Sequence, residues 1–282
     1  MKTGHAMTDY VLGSNEAEYQ RLMRQAETLA PYTERLFREA GIGRGQRVLD
    51  VGSGVGDVAL LAASLVGRTG SVLGIDRDGM ALSKARSRAA ARGSNIQFLE
   101  TDLSQSRIDG DFDAIVGRFI LMFLPDPAAA LRSLTAHLRP GGVIVFHEGS
   151  WTSFYALAGH LPLTTACADL ICNTLRRAGA RTDMQLTLYQ GLLESGYQAP
   201  YLRVEVPVAK EPGGYRWLPE LIASLRPRFQ EFSMETQAVG EFDSLAARLE
   251  LERENARSFA PLVGLVGAWA RKASSPPPER AE

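Results

Sequence analysis

The chain has no surplus of either charge. Its 31 Lys and Arg face 32 Asp and Glu, a formal net charge of -1, so there is no long-range attraction for nucleic acid or an anionic membrane surface. It has two cysteines, too few for a disulfide framework. Cys167 and Cys172 sit five apart in a helical pattern and read as reduced core residues of a cytoplasmic protein. Histidine is scarce and dispersed: His5, His137, His147 and His160 form no cluster with ligand spacing, so no metal is expected. No apolar run reaches ~18 residues, which leaves no candidate transmembrane helix. The opening "MKTGHAMTDY" lacks the apolar core of a signal peptide, and Met7 is a candidate natural start. No internal repeat is present. The tail "SSPPPERAE" is expected to be disordered.

Glycine and apolar residues are plentiful. The 282 residues are 45% hydrophobic and 22% charged, which suits one large domain or a domain with a lid. Residues 15–30 show helical spacing in Tyr19, Leu22, Met23, Ala26 and Leu29, and Pro31 is expected to end that helix and open another, closed at Gly41. Strands and helices then alternate. Strands are expected at 47–51, 71–76, 96–100, 112–117 and 142–148, and helices at 57–66, 80–92 and 126–138, the last capped by Asp126. Short apolar strands between helices indicate a parallel sheet covered on both faces, with ligands at the strands' C-terminal ends. Beyond residue 150 the pattern loosens into helices, a strand at 201–208 and a late apolar segment at 261–271. That segment reads as the last strand, antiparallel to the rest.

The stretch "VLDVGSGVGDVAL" runs from an apolar strand through Gly52, Gly54 and Gly56 into an apolar helix. A strand-to-helix turn of this kind aims backbone N–H groups at a ligand, and glycine lets the ligand touch the backbone. A dinucleotide turn would read G-x-G-x-x-G; here Asp57 fills the last slot. Asp50 and Asp57 flank the turn and argue for a ligand carrying positive charge, although Asp57 also suits a plain helix N-terminus. Asp76 ends the second strand about 24 residues after Gly52, where an acid accepts from ribose hydroxyls. Asp102, in "ETDL" after the third strand, can accept from a base's exocyclic amine. A nucleoside joined to a cationic amino-acid group satisfies all of these, and S-adenosylmethionine is such a molecule.

With "VLDVGSGVGD", "VLGIDRD", "ETDL", "FDAIVGRFILMFLPDP" and "LRPGGVIVFHE" in order, residues 45–150 resemble class I S-adenosylmethionine-dependent methyltransferases. The similarity is greatest to the small-molecule branch that includes the quinone-biosynthesis methyltransferases. The resemblance implies an α/β, Rossmann-like doubly wound sheet of order 3-2-1-4-5-7-6 with strand 7 antiparallel, N-terminal helices and a helical lid. Domain limits follow at 1–44, 45–150, 151–272 and a tail from 273. The resemblance also implies that the backbone around Gly52, Ser53 and Gly54 holds the methionine moiety. Asp76 would take the ribose, Arg77 flank the adenine, Asp102 and Leu103 read its edge, and Gln25 close over the cofactor. Arg118, after the fourth strand, either binds a carboxylate or pairs with an acid such as Asp50.

The tetrapeptide [ND]-P-P-[YFW] of amino-methylating DNA and glutamine enzymes is absent after strand four, where "GRFI" stands, which argues against a nucleic-acid substrate. Metal-dependent catechol methylators carry an acid where this chain has Gly117–Arg118. His147, with Glu148 as runner-up, is a candidate general base or substrate anchor at the end of strand five; the plainer alternative is a buried strand-end histidine. Trp151, Phe154, Tyr155 and His160, with a stripe of Tyr215, Trp217, Leu221, Ile222 and Leu225, either form the lid's core or line a pocket for an apolar or aromatic metabolite. The expected function is metal-independent methyl transfer to a small molecule, with O- or N-methylation favoured and neither nucleic acid nor membrane as partner; a homodimer is a further expectation. The alternatives are a protein that binds S-adenosylmethionine for non-transfer chemistry, and an NAD-dependent oxidoreductase, against which Asp57 and Asp102 weigh.

Overall fold

The computed structural model describes residues 10–103, 108, 110–209 and 216–274. His5, Met7, Tyr215 and most of the expected disordered tail lie outside these. Helix α1 (Glu16–Glu39) leads into β1 (Arg47–Val51), α2 (Asp57–Val66), β2 (Ser71–Asp76), α3 (Gly79–Ala91), β3 (Ile96–Glu100) and β4 (Phe112–Arg118). A single 3-10 turn (Leu121–Phe123) precedes α4 (Pro127–Thr135) and β5 (Leu138–Ser150). Then come α5 (Trp151–Ala158), α6 (Pro162–Arg177), α7 (Gln185–Glu194), β6 (Tyr201–Glu205) and β7 (Val208–Ala209). The chain closes with α8 (Trp217–Glu231), α9 (Leu245–Asn255), β8 (Ala260–Pro261) and β9 (Gly264–Arg271).

Seven strands form one sheet in the order β3-β2-β1-β4-β5-β9-β6, and β7 and β8 pair separately. With β6 and β9 as its sixth and seventh strands, this is the order implied by the resemblance. The first five strands are parallel, with Val48 opposite Val72 and Ala114, and Val116 opposite Val145. β9 runs against β5: Gly141 and Gly142, near the start of β5, exchange backbone bonds with Lys272, just past the end of β9. At the opposite ends of the two strands, a Cβ on Gly264 would stand 2.6 Å from Ser150 O.

Strand alternation sorts the core. Val48, Val72, Ala114, Val116, Val143 and Val145 face one way and bury against Val58, Ala59, Ala62 and Val66 of α2, Leu36 and Phe37 of α1, and Ala40 just beyond it. Each Val, Leu or Phe among them contributes about 1.5–3 kcal/mol relative to exposure. Leu49, Ile115, Ile144 and Phe146 are buried on the opposite face, and α4 packs on α7.

Three sequence expectations are corrected. Pro31 does not end a helix: α1 continues through it. The missing N–H costs one backbone bond, and burial of Leu29, Leu36 and Phe37 holds the helix together on both sides. The helix expected to reach residue 138 stops at Thr135, because Leu138 already pairs with Phe112 in the sheet. The strand expected over 201–208 stops at Glu205 and restarts as β7. Pro207, which has no N–H to give the ladder, lies between the two.

The chain divides into two compact units. One holds residues 26–148, 185–203 and 266 onward, and so most of the sheet. The other holds residues up to 25, 149–184 and 204–265. In this second unit Trp151, Phe154 and Trp217 form an aromatic group, with ring centroids 5.4–5.9 Å apart. Glu252 accepts from Leu163 N, Thr164 N and Thr164 Oγ1, which satisfies the first N–H groups of α6.

Candidate active site

The turn after β1 uses its three glycines in two ways. All have positive φ: 69° at Gly52, 51° at Gly54 and 86° at Gly56. A Cβ on Gly52 would lie 2.7 Å from Ile120 Cδ1, and one on Gly56 would lie 2.9 Å from Ala85 Cβ. A Cβ on Gly54 would meet nothing within 4 Å. So Gly52 and Gly56 admit neighbouring side chains, while Gly54 leaves its face open.

Asp50 sits beneath this turn, 1% exposed. Among the described residues, neither of its carboxylate oxygens has a hydrogen-bond partner, and Ser53 Oγ has none either. Burial pushes the Asp50 carboxyl up to about 7, against a smaller pull downward from the Ser53 hydroxyl, the Arg118 cation and the Ala59 N–H nearby. A buried acid without a partner is costly, and a cationic ligand group would relieve that cost. Asp57, on the other side of the turn, is already engaged: Arg88 Nη2 donates to it at 2.6 Å while Arg88 Nη1 donates to Val55 O. Sequence reading missed Arg88, which stands 31 positions away with no local signal.

Asp76, at the end of β2, accepts from Gly54 N at 2.8 Å and from Asp78 N at 2.9 Å. Burial raises its pKa from the ordinary carboxylate value. With the Arg77 N–H also acting on it, the carboxylate still has acceptor capacity for a ligand. Ser53 N donates to Ile75 O and Thr101 N to Asp76 O, so the ends of β1, β2 and β3 are tied together. Asp102 and Arg77 beside them are exposed, and Leu103 is half-buried. Gln25 belongs to the other unit, where its Oε1 accepts from Arg21 of a buried Glu18–Arg21 ion pair.

At the ends of β4 and β5, Arg118, His147 and Glu148 each have a partner within the sheet unit. Arg118 donates to Thr33 Oγ1 at 3.1 Å, a hydroxyl rather than a carboxylate. Thr33 Oγ1 also lies 3.2 Å from Leu29 O and 3.1 Å from His147 Nδ1. With one proton to give, the hydroxyl donates to one of these and accepts from Arg118. His147 is 1% exposed. Burial, helped by the Arg118 and Arg35 cations, pushes its pKa down to about 3. Glu148, 0% exposed, accepts backbone N–H groups from Ile120, Leu121 and Met122 at 3.0, 2.9 and 3.4 Å. Neither arrangement favours the expected general-base roles. Imidazole with a pKa near 3 is a poor base at pH 7, and Glu148 spends its lone pairs on the backbone. Thr33, a mid-helix threonine with no sequence signal, was not singled out.

Among the described residues, no group of three or more His, Cys, Asp or Glu could hold a metal ion, and no helix is long and apolar enough to cross a membrane.

Residues 48–142 match the family model of a methyltransferase domain. An uncharacterized protein of Mycobacterium tuberculosis is 38% identical over 120 residues, 42% of each chain. The ubiquinone/menaquinone biosynthesis C-methyltransferase of Azotobacter vinelandii is 37% identical over 114 residues, 39% of this chain and 45% of the relative. The chain thus spans less than half the length of these relatives. In fold it is similar to a putative methyltransferase of Bacillus halodurans, with a TM-score of 0.54 at 15% identity over 85% of this chain and 97% of that one. Sheet order, glycine turn and the match over residues 48–142 agree in pointing to the methyltransferase domain of the class I S-adenosylmethionine-dependent type. Over its matched region the chain is similar to the quinone-biosynthesis C-methyltransferases.

Proposed function

We propose that the chain binds S-adenosylmethionine at the β1–β2 strand ends and transfers its methyl group to a small apolar or aromatic molecule. When bound, the cofactor supplies an electrophilic methyl on a sulfonium centre. The observation that carries the reading is the unpartnered, buried carboxylate of Asp50 beneath the open face of Gly54. Gly52, Ser53 and Gly54 present the turn to the methionine end, and Asp50 supplies the negative charge that a cationic ligand needs. Asp76 holds the ribose hydroxyls; Arg77, Asp102 and Leu103 border the base. Arg118, fixed by Thr33, presents a cation to a carboxylate. Methyl transfer by in-line displacement asks the protein chiefly for alignment and exclusion of water, which suits a site whose candidate bases are occupied elsewhere. The C-methyltransferase relatives favour carbon over oxygen or nitrogen as acceptor, on an electron-rich ring. The absence of an excess of basic residues supports a small molecule over nucleic acid.

The test is a thermal-shift and calorimetric comparison of S-adenosylmethionine, S-adenosylhomocysteine and NAD. Stabilisation by the first two and not by NAD supports the reading; the reverse overturns it. Incubation with a panel of quinols and phenols, read by mass for a gain of one methyl, then separates transfer from binding alone.

A further inference from the structure

We propose that Glu148 is a positioning residue: it clamps the turn after β4 so that Ile120 walls the glycine turn, and thereby sets the shape of the cofactor space. The inference rests on the cofactor reading of that turn. Four residues leave β4 in succession, and each is held by the last residues of β5. Phe119 N donates to His147 O at 3.0 Å. Ile120, Leu121 and Met122 donate to the Glu148 carboxylate. These N–H groups open a one-turn helix and have no partner within it.

The path is strained. Phe119 has φ of 53°, a left-handed conformation for a bulky side chain. Such strain persists only where surroundings impose it, and the clamp on the next three residues is what imposes it here. The result is specific. Ile120 occupies the volume that a Cβ on Gly52 would need, at 2.7 Å, and its Cγ2 lies 2.9 Å from where a Cβ on Gly117 would stand. A slip of this turn would drive Ile120 into Gly52 or open a gap beside it. Burial raises the Glu148 carboxyl to about 7, a cost that an apolar residue of the same size would avoid. Three otherwise unmet N–H groups explain its retention.

The test uses the full chain in three variants: Glu148→Gln, Glu148→Ala and Ile120→Ala. Amide hydrogen exchange at residues 120–122 reads the clamp. Calorimetry with S-adenosylhomocysteine reads its consequence. Glu148→Ala is expected to speed exchange at 120–122 at least tenfold, with β2 unchanged, and to weaken binding at least tenfold. Glu148→Gln keeps one acceptor oxygen and is expected to restore most of both, a rescue that a general acid–base role would not show. Ile120→Ala is expected to weaken binding with exchange at 120–122 unchanged. If Glu148→Ala does not fold, Glu148→Ser, whose short side chain cannot reach the three N–H groups, takes its place, and exchange at 120–122 indistinguishable from wild type then overturns the clamp. Faster exchange with unchanged affinity overturns its link to the glycine turn. A wild-type chain that does not bind S-adenosylhomocysteine overturns the cofactor reading and that link together, and leaves the clamp itself to be judged on exchange.

Discussion

Asp50 and Glu148 are both buried carboxyls at strand ends of one sheet, both pushed up to about 7 by burial. They differ in company. Glu148 accepts three backbone N–H groups, whereas the Ser53 hydroxyl, the Ala59 N–H and the Arg118 cation near Asp50 stand outside hydrogen-bond geometry. The same residue chemistry therefore marks two kinds of region. The β1–β2 end keeps an acid unpaired beside an open glycine, as a site prepared for a ligand. The β4–β5 end is internally satisfied through Arg118, Thr33, His147 and Glu148, as a frame that holds its neighbours. A buried polar group with partners speaks for architecture, and one without them speaks for function.

The largest effect should come from breaking the turn that joins these regions. Gly52→Ala forces a Cβ against Ile120 in a positive-φ conformation and is expected to cost roughly 2–4 kcal/mol of stability and to abolish cofactor binding. Gly54→Ala meets no such neighbour and should cost only about 1 kcal/mol. Chemical denaturation of the two variants checks the contrast, and equal losses would show that the open face of Gly54 is not open.

Asp76→Ala removes an acceptor placed for two ribose hydroxyls, and hydrogen bonds to charged groups are worth about 1.5–3 kcal/mol each. Calorimetry should find S-adenosylhomocysteine bound at least tenfold more weakly by a folded variant. Unchanged affinity would remove Asp76 from the site.

Asp50→Asn sharpens the comparison directly. A folded-state carboxyl raised to about 7 binds a proton that the unfolded chain has already lost. The stability it lends is full below the unfolded value near pH 4 and is lost as pH rises through 7. Wild type should therefore lose stability between pH 5 and 8 relative to Asp50→Asn, by an amount on the order of 1–3 kcal/mol. The variant should be the more stable at pH 8 and the weaker cofactor binder. Loss of both properties together would place Asp50 in the frame instead.

His147, with its pKa pushed down to about 3, should stay neutral across pH 5–8. Imidazole NMR is expected to show no titration of His147 there, and the rate no dependence on it; a transition near 6.5 would restore the general-base role. The smallest expected effect is none: turnover should survive EDTA, because the end of β4 carries Arg118 where a metal-dependent site needs an acid. Loss on chelation with recovery by Mg²⁺ would overturn that.

Most strands, and the cap of α4, were legible from residue order alone. The limits of β1, α2, β2 and β3 coincide with their apolar runs, and Asp126 caps α4 as its position before Pro127 implies. The misreadings have a common source. Pro31 is a helix breaker by its own geometry, yet buried neighbours on both sides carry α1 through it. His147 and Glu148 stand near the strand end where residue order puts them, but their chemistry depends on partners outside that stretch.

What the sequence by itself determined is local: the period-two strands, the glycine turn that backbone sterics demand, and the acids that favour a cationic nucleoside ligand. What only the tertiary structure decided is which of those acids are spoken for. Asp57 is matched to Arg88 across 31 positions, Glu148 to Leu121 N across 27 and His147 to Thr33 across 114, while Asp50 makes no hydrogen bond of good geometry among the described residues. The physical reason is that a hydrogen bond acts over about 3 Å of space, a distance that has no counterpart along the chain until the sheet brings its strand ends together.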